Sequence, residues 1–380
     1  MAASAPHLVH GMGTTLEPPT WPAITHDHAA AALARFPVAG RLEALEWHSP
    51  RPFSAAARVR TTRGMFVLKR HHPAVRTPAG LAEEHAFIAH LAAAGIPVPE
   101  ILLTDAGTSA IAVGDWTYEL HRQGAGLDLY RERLSWTPYL AASHAHAAGA
   151  SLARLHAASR GFAAPARAVQ PLVASFNILP STDPLAATEA YVAARPALAA
   201  FLEPRDWRPA VARLFAELGQ GVPAALAGHE ALWTHNDWHP SNVLWSADGQ
   251  VETVFDFGLA DRTCAVHDLA TAIERTAIDW LELGQGRDAT IGHPETAQAL
   301  LAGYATVIPL DRGEVAALLR VLPLVHFEFA LSEIDYFAGV VGDAEQASVA
   351  WDQYLLGHAD WFTAPHGQAF LNTIEHGPLG

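Results

Sequence analysis

His235-Asn236-Asp237-Trp238-His239-Pro240-Ser241-Asn242 is followed, after a short gap, by Asp256-Phe257-Gly258. An Asp, an Asn five residues later and a second Asp beyond a hairpin form the minimum set for phosphoryl transfer. In that reading Asp237 takes or orients the proton of an attacking hydroxyl. The Asn242 carbonyl and the Asp256 carboxylate hold Mg²⁺ against the phosphates of ATP, with GTP as the alternative nucleotide. Mg²⁺ is a hard ion that keeps several waters, so two protein oxygens suffice.

The gap between the two halves reads as a hairpin. Val243-Leu244-Trp245 is an apolar strand, Ser246-Ala247-Asp248-Gly249 is turn chemistry, and Val251 to Phe255 returns. Asn242 enters the first strand and Asp256 leaves the second, so the turn folds the two metal ligands back beside each other. The bland reading, a hairpin with scattered polar residues, leaves the D-F-G run unexplained. A rival reading takes His235, Asp237 and His239, two apart on an extended segment, as the ligands of a metal hydrolase. Pro240 ends any such segment, and Asn242 and Asp256 then have no task.

Lys69 ends the strand Met65-Phe66-Val67-Leu68-Lys69. Alternation puts Val67 and Lys69 on one face, with Val67 to roof an adenine and Lys69 to reach the α- and β-phosphates. The next helix opens at Thr77-Pro78 and offers Glu83 and Glu84. Glu84 shares the stripe of Leu81, Phe87, Ile88 and Leu91, whereas Glu83 is rotated away, so Glu84 is the expected partner of Lys69. His156 reads as a satisfied interior histidine. Asp268, in the first turn of a helix past the D-F-G run, reads mainly as a carboxylate favouring its own helix N-terminus, with a supporting role near the metal as the lesser alternative.

The 380 residues allow two or three domains, and 50% are hydrophobic. The net charge of −15 argues against a nucleic-acid backbone or an anionic membrane surface as partner. Cys264 is the single cysteine, so no internal disulfide is available and nothing demands an oxidising compartment. With no basic-then-apolar leader, cytoplasm is the expectation. Residues 1–24 read as a flexible leader. Residues 25–121 read as a nucleotide-binding unit, a small mixed sheet with one main helix. Residues 122–364 read as a helical unit with the catalytic hairpin as its one clear extended element, and 365–380 as a frayed tail. Strands are expected at Leu42–Trp47, Ala56–Thr61, Met65–Lys69, Ile101–Leu103, Ile111–Val113 and Trp116–Leu120. Long helices are expected at Pro184–Ala200, Val266–Leu283, Gly313–Phe337 and Ala344–Phe362.

With these residues in hand the chain resembles the aminoglycoside phosphotransferase/choline kinase-like family, the small-molecule branch of the protein-kinase-like fold. The matching pieces are Phe66-Val67-Leu68-Lys69, Glu84, Gly95-Ile96-Pro97-Val98-Pro99, Leu152-Ala153-Arg154-Leu155-His156, His235 to Asn242, Asp256-Phe257-Gly258 and His267-Asp268-Leu269-Ala270. The resemblance implies a two-lobed α+β fold and an ATP- and Mg²⁺-dependent kinase of a small hydroxylated molecule. It implies that Tyr118-Glu119-Leu120-His121 is the interlobe hinge, with the Leu120 and His121 backbone facing the adenine. There are departures. The first hairpin loop, Ser49-Pro50-Arg51-Pro52-Phe53-Ser54, has no glycine to cover the phosphates, and Arg51 or Ser54 would substitute. Asn236 and Ser241 stand where many relatives carry glycine. His239 stands where protein kinases have Lys and is a candidate γ-phosphate contact. No Ala-Pro-Glu segment is present, which argues against a protein substrate.

The acceptor is expected near Trp238, Asp261 and the 326–337 helix, where Glu328, Ser332 and Asp335 share one side and Phe329, Glu333 and Tyr336 a second. Carboxylates beside aromatic rings suit an amine. A catalytically silent nucleotide-binding protein on the same fold is the rival from another class.

Overall fold

The computed structural model describes residues 7–11 and 13–378. Residues 1–6 and 12 of the expected leader, and 379–380 of the expected tail, lie outside the described residues. The chain divides into two compact units, Met1–Ala125 and Gly126–Gly380.

The first unit is built on a five-stranded sheet. Its strands are β1 (Leu42–His48), β2 (Ala55–Thr61), β3 (Gly64–His71), β4 (Ala110–Val113) and β5 (Trp116–Arg122), in the order β1-β2-β3-β5-β4. All pairings are antiparallel, so the sheet is not the mixed one expected from sequence. The two faces divide by period 2. Phe66, Leu68, Tyr118 and Leu120 enter a core with Ala29, Ala32, Leu33 and Phe36 from the helix His26–Leu33 and its end. In the β3–β5 register Val67 faces His121 and Lys69 faces Glu119, which places these four on the opposite face.

Helix α1 (Pro78–Ala93) is capped by Thr77, whose hydroxyl accepts from the Gly80 amide, with proline in its first turn. Glu84 lies on its buried stripe at 2% exposure, while Glu83 is exposed. The segment expected as a strand at Ile101–Leu103 is a single bridge to β5, with the Leu102 amide donating to the Leu120 carbonyl. That bond and the β3 pairing enclose β5 on both sides. The Tyr118–His121 segment, expected as the interlobe hinge, is part of this enclosed strand. The expected loose leader is also partly ordered: Val9–His10 pairs with Leu16–Glu17, and Val9 and Ile24 are buried.

The second unit is mostly helical. Helix α2 (Ala142–Ser159) crosses α4 (Pro294–Ala305) so closely that a methyl at Gly149 would strike the Leu300 carbonyl oxygen, and one at Gly303 the His146 carbonyl. Between them run β6 (Ala231–Thr234), β7 (Val243–Trp245), β8 (Val251–Val254), β9 (Asp261–Cys264) and α3 (Ala265–Thr276). β7 and β8 form the expected hairpin. β6 and β9 form a second antiparallel pair that periodicity does not reveal, because four residues are too few to show a period. Pro196 splits the expected 184–200 helix into Pro184–Ala193 and Pro196–Leu202. The expected 266–283 helix stops at Thr276.

The run Arg312–Val341 is long and apolar enough to cross a membrane by length and composition, but 83% of its most apolar window is buried inside the fold. It contains α5 (Arg312–Val321) and α6 (Phe327–Asp335), and Pro323 interrupts it. The expected frayed tail is instead helix α7 (Pro365–Glu375), anchored by buried Phe370 on Trp361 and Phe362 and by buried Ile374.

Candidate active site

The loop 235–242 hangs between β6 and the β7–β8 hairpin, and Asp268 fixes it. The Asp268 carboxylate is fully buried and accepts from the backbone amides of His235 (2.9 Å) and Asn236 (2.7 Å) and from His156 Nε2 (2.9 Å). His156 Nδ1 meets the Tyr304 hydroxyl at 2.9 Å, so this histidine is a satisfied interior group. Burial pushes the Asp268 carboxyl up, yet the hydrogen bond to His156, the charge of that ring and then His235 hold it below its ordinary value. Asp268 lies in the first turn of its helix as expected, and in addition it holds the 235–242 loop.

Asn236 has φ of +59°. This left-handed conformation suits glycine, and asparagine tolerates it best among side-chain-bearing residues. Its Oδ1 accepts from the hydroxyls of Thr234 (3.0 Å) and Thr263 (3.2 Å), which ties the turn to β6 and β9. His235 Nε2 donates to the Phe255 carbonyl at 3.0 Å, and Nδ1 accepts from the Asp237 amide at 3.2 Å. Both ring nitrogens of His235 are engaged by backbone. The rival metal triad of His235, Asp237 and His239 therefore lacks a ligand atom.

Asp237 emerges from this turn with its side chain 15% exposed. Its Oδ2 accepts from Asn242 Nδ2 at 3.0 Å and lies 3.6 Å from His239 Nε2. Its Oδ1 lies 3.3 Å from Arg275 Nε. Burial pushes the Asp237 carboxyl up, but Arg275 and then His239 outweigh it and hold the group well below the usual carboxylate range. His239 Nδ1 is 3.0 Å from the Ser241 hydroxyl.

Asn242 Nδ2 also donates to the Asp237 carbonyl at 2.9 Å, so both amide protons have partners on Asp237 and the carbonyl end is turned the other way. The Phe255 amide donates to the Asn242 carbonyl at 3.0 Å, which brings the next residue, Asp256, beside Asn242 across the hairpin. Asp256 has φ of +62°, a strained conformation for an aspartate of the kind that gathers at functional sites. The pair offers two hard oxygen donors, the chemistry Mg²⁺ takes and zinc does not favour.

Sequence reasoning missed Arg275, which ends α3 and also packs on the rings of Trp136 (4.5 Å) and Phe329 (4.7 Å). The one available signal was spacing: Arg275 lies two turns beyond Asp268 on the same helix, so both face the loop. Trp136 has φ of +59°, again strained. Glu333 lies within the electrostatic reach of Arg275, Glu274 and Asp237. It is 1% exposed, its Oε1 has no hydrogen-bond partner, and burial pushes its carboxyl up to about 8.

The other expected acceptor residues are committed elsewhere. Glu328 is buried and accepts from the amides of Asn177 (2.8 Å) and Ile178 (3.1 Å) and from the Ser175 hydroxyl (3.1 Å). Ser332 accepts from the Leu172 amide at 2.8 Å. Asp261 Oδ1 accepts from the amides of Arg167 (2.8 Å) and Arg262 (2.7 Å). Asp335 is half-buried and faces the charge of Arg195. Trp238 is buried edge-on to His235. The carboxylate near Asp237 comes from the second side of the 326–337 helix, not the first. In the first unit Lys69 and Glu84 both act on the charge of His85, so their side chains share one neighbourhood.

The sequence profile described as the phosphotransferase enzyme family matches residues 27–318. The homoserine kinase of Methylobacterium radiotolerans is 30% identical over 278 residues, 68% of this chain and 70% of its own length. A microcompartment-associated aminopropanol kinase aligns over 93% of this chain and 99% of its own, with 18% identity and a TM-score of 0.56. An amicoumacin kinase solved with AMP-PNP, Ca²⁺ and Ami aligns over 91% and 100%, with 14% identity and a TM-score of 0.56. At such identities the two structures speak to the fold, which is that of the protein-kinase-like phosphotransferases. The chain belongs to the phosphotransferase enzyme family and is a small-molecule kinase.

Proposed function

We propose that the chain transfers the γ-phosphoryl group of ATP to the hydroxyl of a small hydroxy amino acid, with homoserine the first acceptor to test. The observation that carries the acceptor class is the Arg275 guanidinium 3.3 Å from Asp237 together with Glu333, a buried carboxyl with an unpartnered oxygen that an incoming ammonium would draw into its ionised form. A zwitterion with a hydroxyl at its far end would answer all three groups. Arg275 suits a carboxylate because its planar fork donates in pairs. Glu333 suits an ammonium, with Phe329 and Trp136 lining the approach. The likeness to homoserine kinases supports the same class.

Asp237 orients the acceptor hydroxyl as a fixed anion. Its low pKa makes it a weak base, which the loose transition state of phosphoryl transfer tolerates, since the proton leaves late. That proton passes to Asp237 as the bond from the acceptor oxygen to the γ-phosphorus forms and the bond from that phosphorus to the departing ADP oxygen breaks, and then to solvent. Asn242 and Asp256 are the residues that would hold Mg²⁺, which when bound neutralises charge on the phosphates. Asn242 also holds Asp237 in position. In the first unit, Lys69 is assigned to the α- and β-phosphates, Glu84 to orienting Lys69, and Val67 to the adenine. Work on ATP fits the cytoplasm.

The test is ADP release with homoserine, serine, threonine, aminopropanol and an aminoglycoside. Homoserine should give the highest kcat/KM. Glu333→Gln should raise the homoserine KM without changing that for ATP. Preference for an aminoglycoside or a neutral sugar would overturn the acceptor class. Absence of turnover with every acceptor would favour the catalytically silent alternative.

A further inference from the structure

In the first unit, three histidines converge on one buried carboxylate. Glu119 is 1% exposed. Its Oε2 lies 2.6 Å from both His85 Nε2 and His121 Nε2, and its Oε1 lies 2.9 Å from His71 Nε2. All four residues are buried. They come from three elements: His71 from the end of β3, Glu119 and His121 from β5, and His85 from α1. The ligand atoms of His85, Glu119 and His121 all lie within 4.8 Å of one another. His85 Nδ1 is buried and has no hydrogen-bond partner.

Burying an ionised carboxylate is costly unless cations or donors surround it. Three imidazoles are more than one carboxylate needs, and a helix contributes one of them. We propose that His85, Glu119 and His121, with His71 beside them, form a site for a borderline-soft divalent cation of the zinc class. Two imidazole nitrogens and a carboxylate oxygen are the donor set that binds such ions, and Mg²⁺ does not favour imidazole. Zinc–nitrogen bonds of about 2.0 Å in a tetrahedron put ligand atoms about 3.3 Å apart. The present contacts open to that spacing by under about 1 Å, within reach of small side-chain rotations. The ion takes the place of the Nε2 protons of His85 and His121, which leave to solvent as it binds, with no change of oxidation state.

Lys69 is the cation that opposes such a site, and it acts on both His85 and His121. Glu119 and Glu84 set two carboxylates against it. A second His–Glu group, Glu274, His326 and His358, also brings its ligand atoms within 4.8 Å of one another, but only one of its histidines bonds the carboxylate. His358 Nδ1 bonds Glu274 at 3.0 Å, while His326 Nε2 bonds the Leu355 carbonyl at 3.1 Å.

The consequence lies one residue away. An ion held by β5 and α1 together ties the helix to the sheet at His85, next to Glu84, on the face that carries Lys69. It acts as a clamp that positions the Lys69–Glu84 pair and does not touch the reacting atoms. The site rests on the first unit's geometry alone, so it stands or falls separately from the acceptor reading.

The experiment uses the full chain, stripped with a chelator and titrated with Co²⁺ and then Zn²⁺ in excess Mg²⁺. One equivalent of Co²⁺ should give the visible absorption of a tetrahedral nitrogen–oxygen site, and Zn²⁺ should displace it. Zn²⁺ should raise the melting temperature. His121→Gln should weaken Co²⁺ binding by more than about 100-fold, beyond the effect of losing an outer-shell contact. Asp256→Ala should leave it unchanged, which separates this site from the phosphate metal. If a histidine variant does not fold, the wild-type spectrum and stoichiometry decide the matter. No tetrahedral Co²⁺ band, or substoichiometric binding at micromolar free metal, would show a hydrogen-bonded cluster only and overturn the proposal. Equal binding by wild type and a folded His121→Gln would overturn it too.

Discussion

At the scale of single residues the account turns on Asp237 and Arg275. The Arg275 guanidinium keeps Asp237 ionised far below neutral pH. An acid whose folded pKa is depressed contributes stability that is present above its unfolded value of 3.8 and is lost as pH falls toward the folded one. Wild-type kcat should therefore show no acid limb from Asp237 between about pH 5 and 8, given the unperturbed carboxylate range. In Arg275→Met the largest opposing charge is gone and burial raises the Asp237 pKa. A limb should then enter the pH–rate profile, with activity lost as pH falls. A flat profile in a folded Arg275→Met would contradict the electrostatic role.

Asp237, Asn242 and Asp256 were legible as a motif because phosphoryl transfer needs those groups at that spacing. Arg275, Glu333 and Trp136 were not. Nothing local in their sequence marks them, and only tertiary packing brings them beside Asp237. Glu328 and Glu333 show the limit of helical spacing. Both lie on regular stripes of α6, and spacing does not say which stripe meets the loop at 172–178 and which meets Arg275.

At the scale of elements, α1 was readable in detail. The Thr77 cap, the first-turn proline and the apolar stripe give its start and its buried face, and Glu84 lies on that face. Glu84→Ala should weaken ATP use, seen as a raised KM, far more than Glu83→Ala. The reverse order would place the Lys69 partner elsewhere. The β6–β9 pair was illegible, whereas the strand read at Trp116–Leu120 is present and runs on to Arg122. Close helix crossings are also silent in sequence. Gly149 has no turn to make; it sits where α2 meets the backbone of α4. Gly149→Ala should cost about 1–3 kcal/mol, as overpacking of a tight contact does. A melting temperature within error of wild type would mean that the two helices separate freely.

At the scale of the whole molecule, the order of motifs was enough to show a two-unit kinase, because the family's chemistry is spread along the chain in a fixed sequence. The ends were not. The leader and tail are poor in periodic signal, yet Val9, Ile24, Phe370 and Ile374 bury apolar surface there. Ligand linkage gives a global readout of the metal assignment. A nucleotide at 100 times its Kd stabilises the fold by about 2.7 kcal/mol. Mg²⁺·ATP should raise the melting temperature of the wild type, and Asp256→Ala should lose the Mg²⁺-dependent part of that shift. An equal shift in both proteins would remove Asp256 from the metal site.

The central claim is that Asp237 directs phosphoryl transfer to the hydroxyl of a small amino acid. Phosphorus NMR of a reaction containing ATP, Mg²⁺ and homoserine tests it most directly. With wild type, a phosphomonoester signal should grow in step with ADP. With Asp237→Asn it should form about 100- to 10,000-fold more slowly, the usual share of a positioned acid–base group, while ATP still binds. Turnover near the wild-type rate in Asp237→Asn, or ADP formed with no phosphorylated homoserine, would contradict the account.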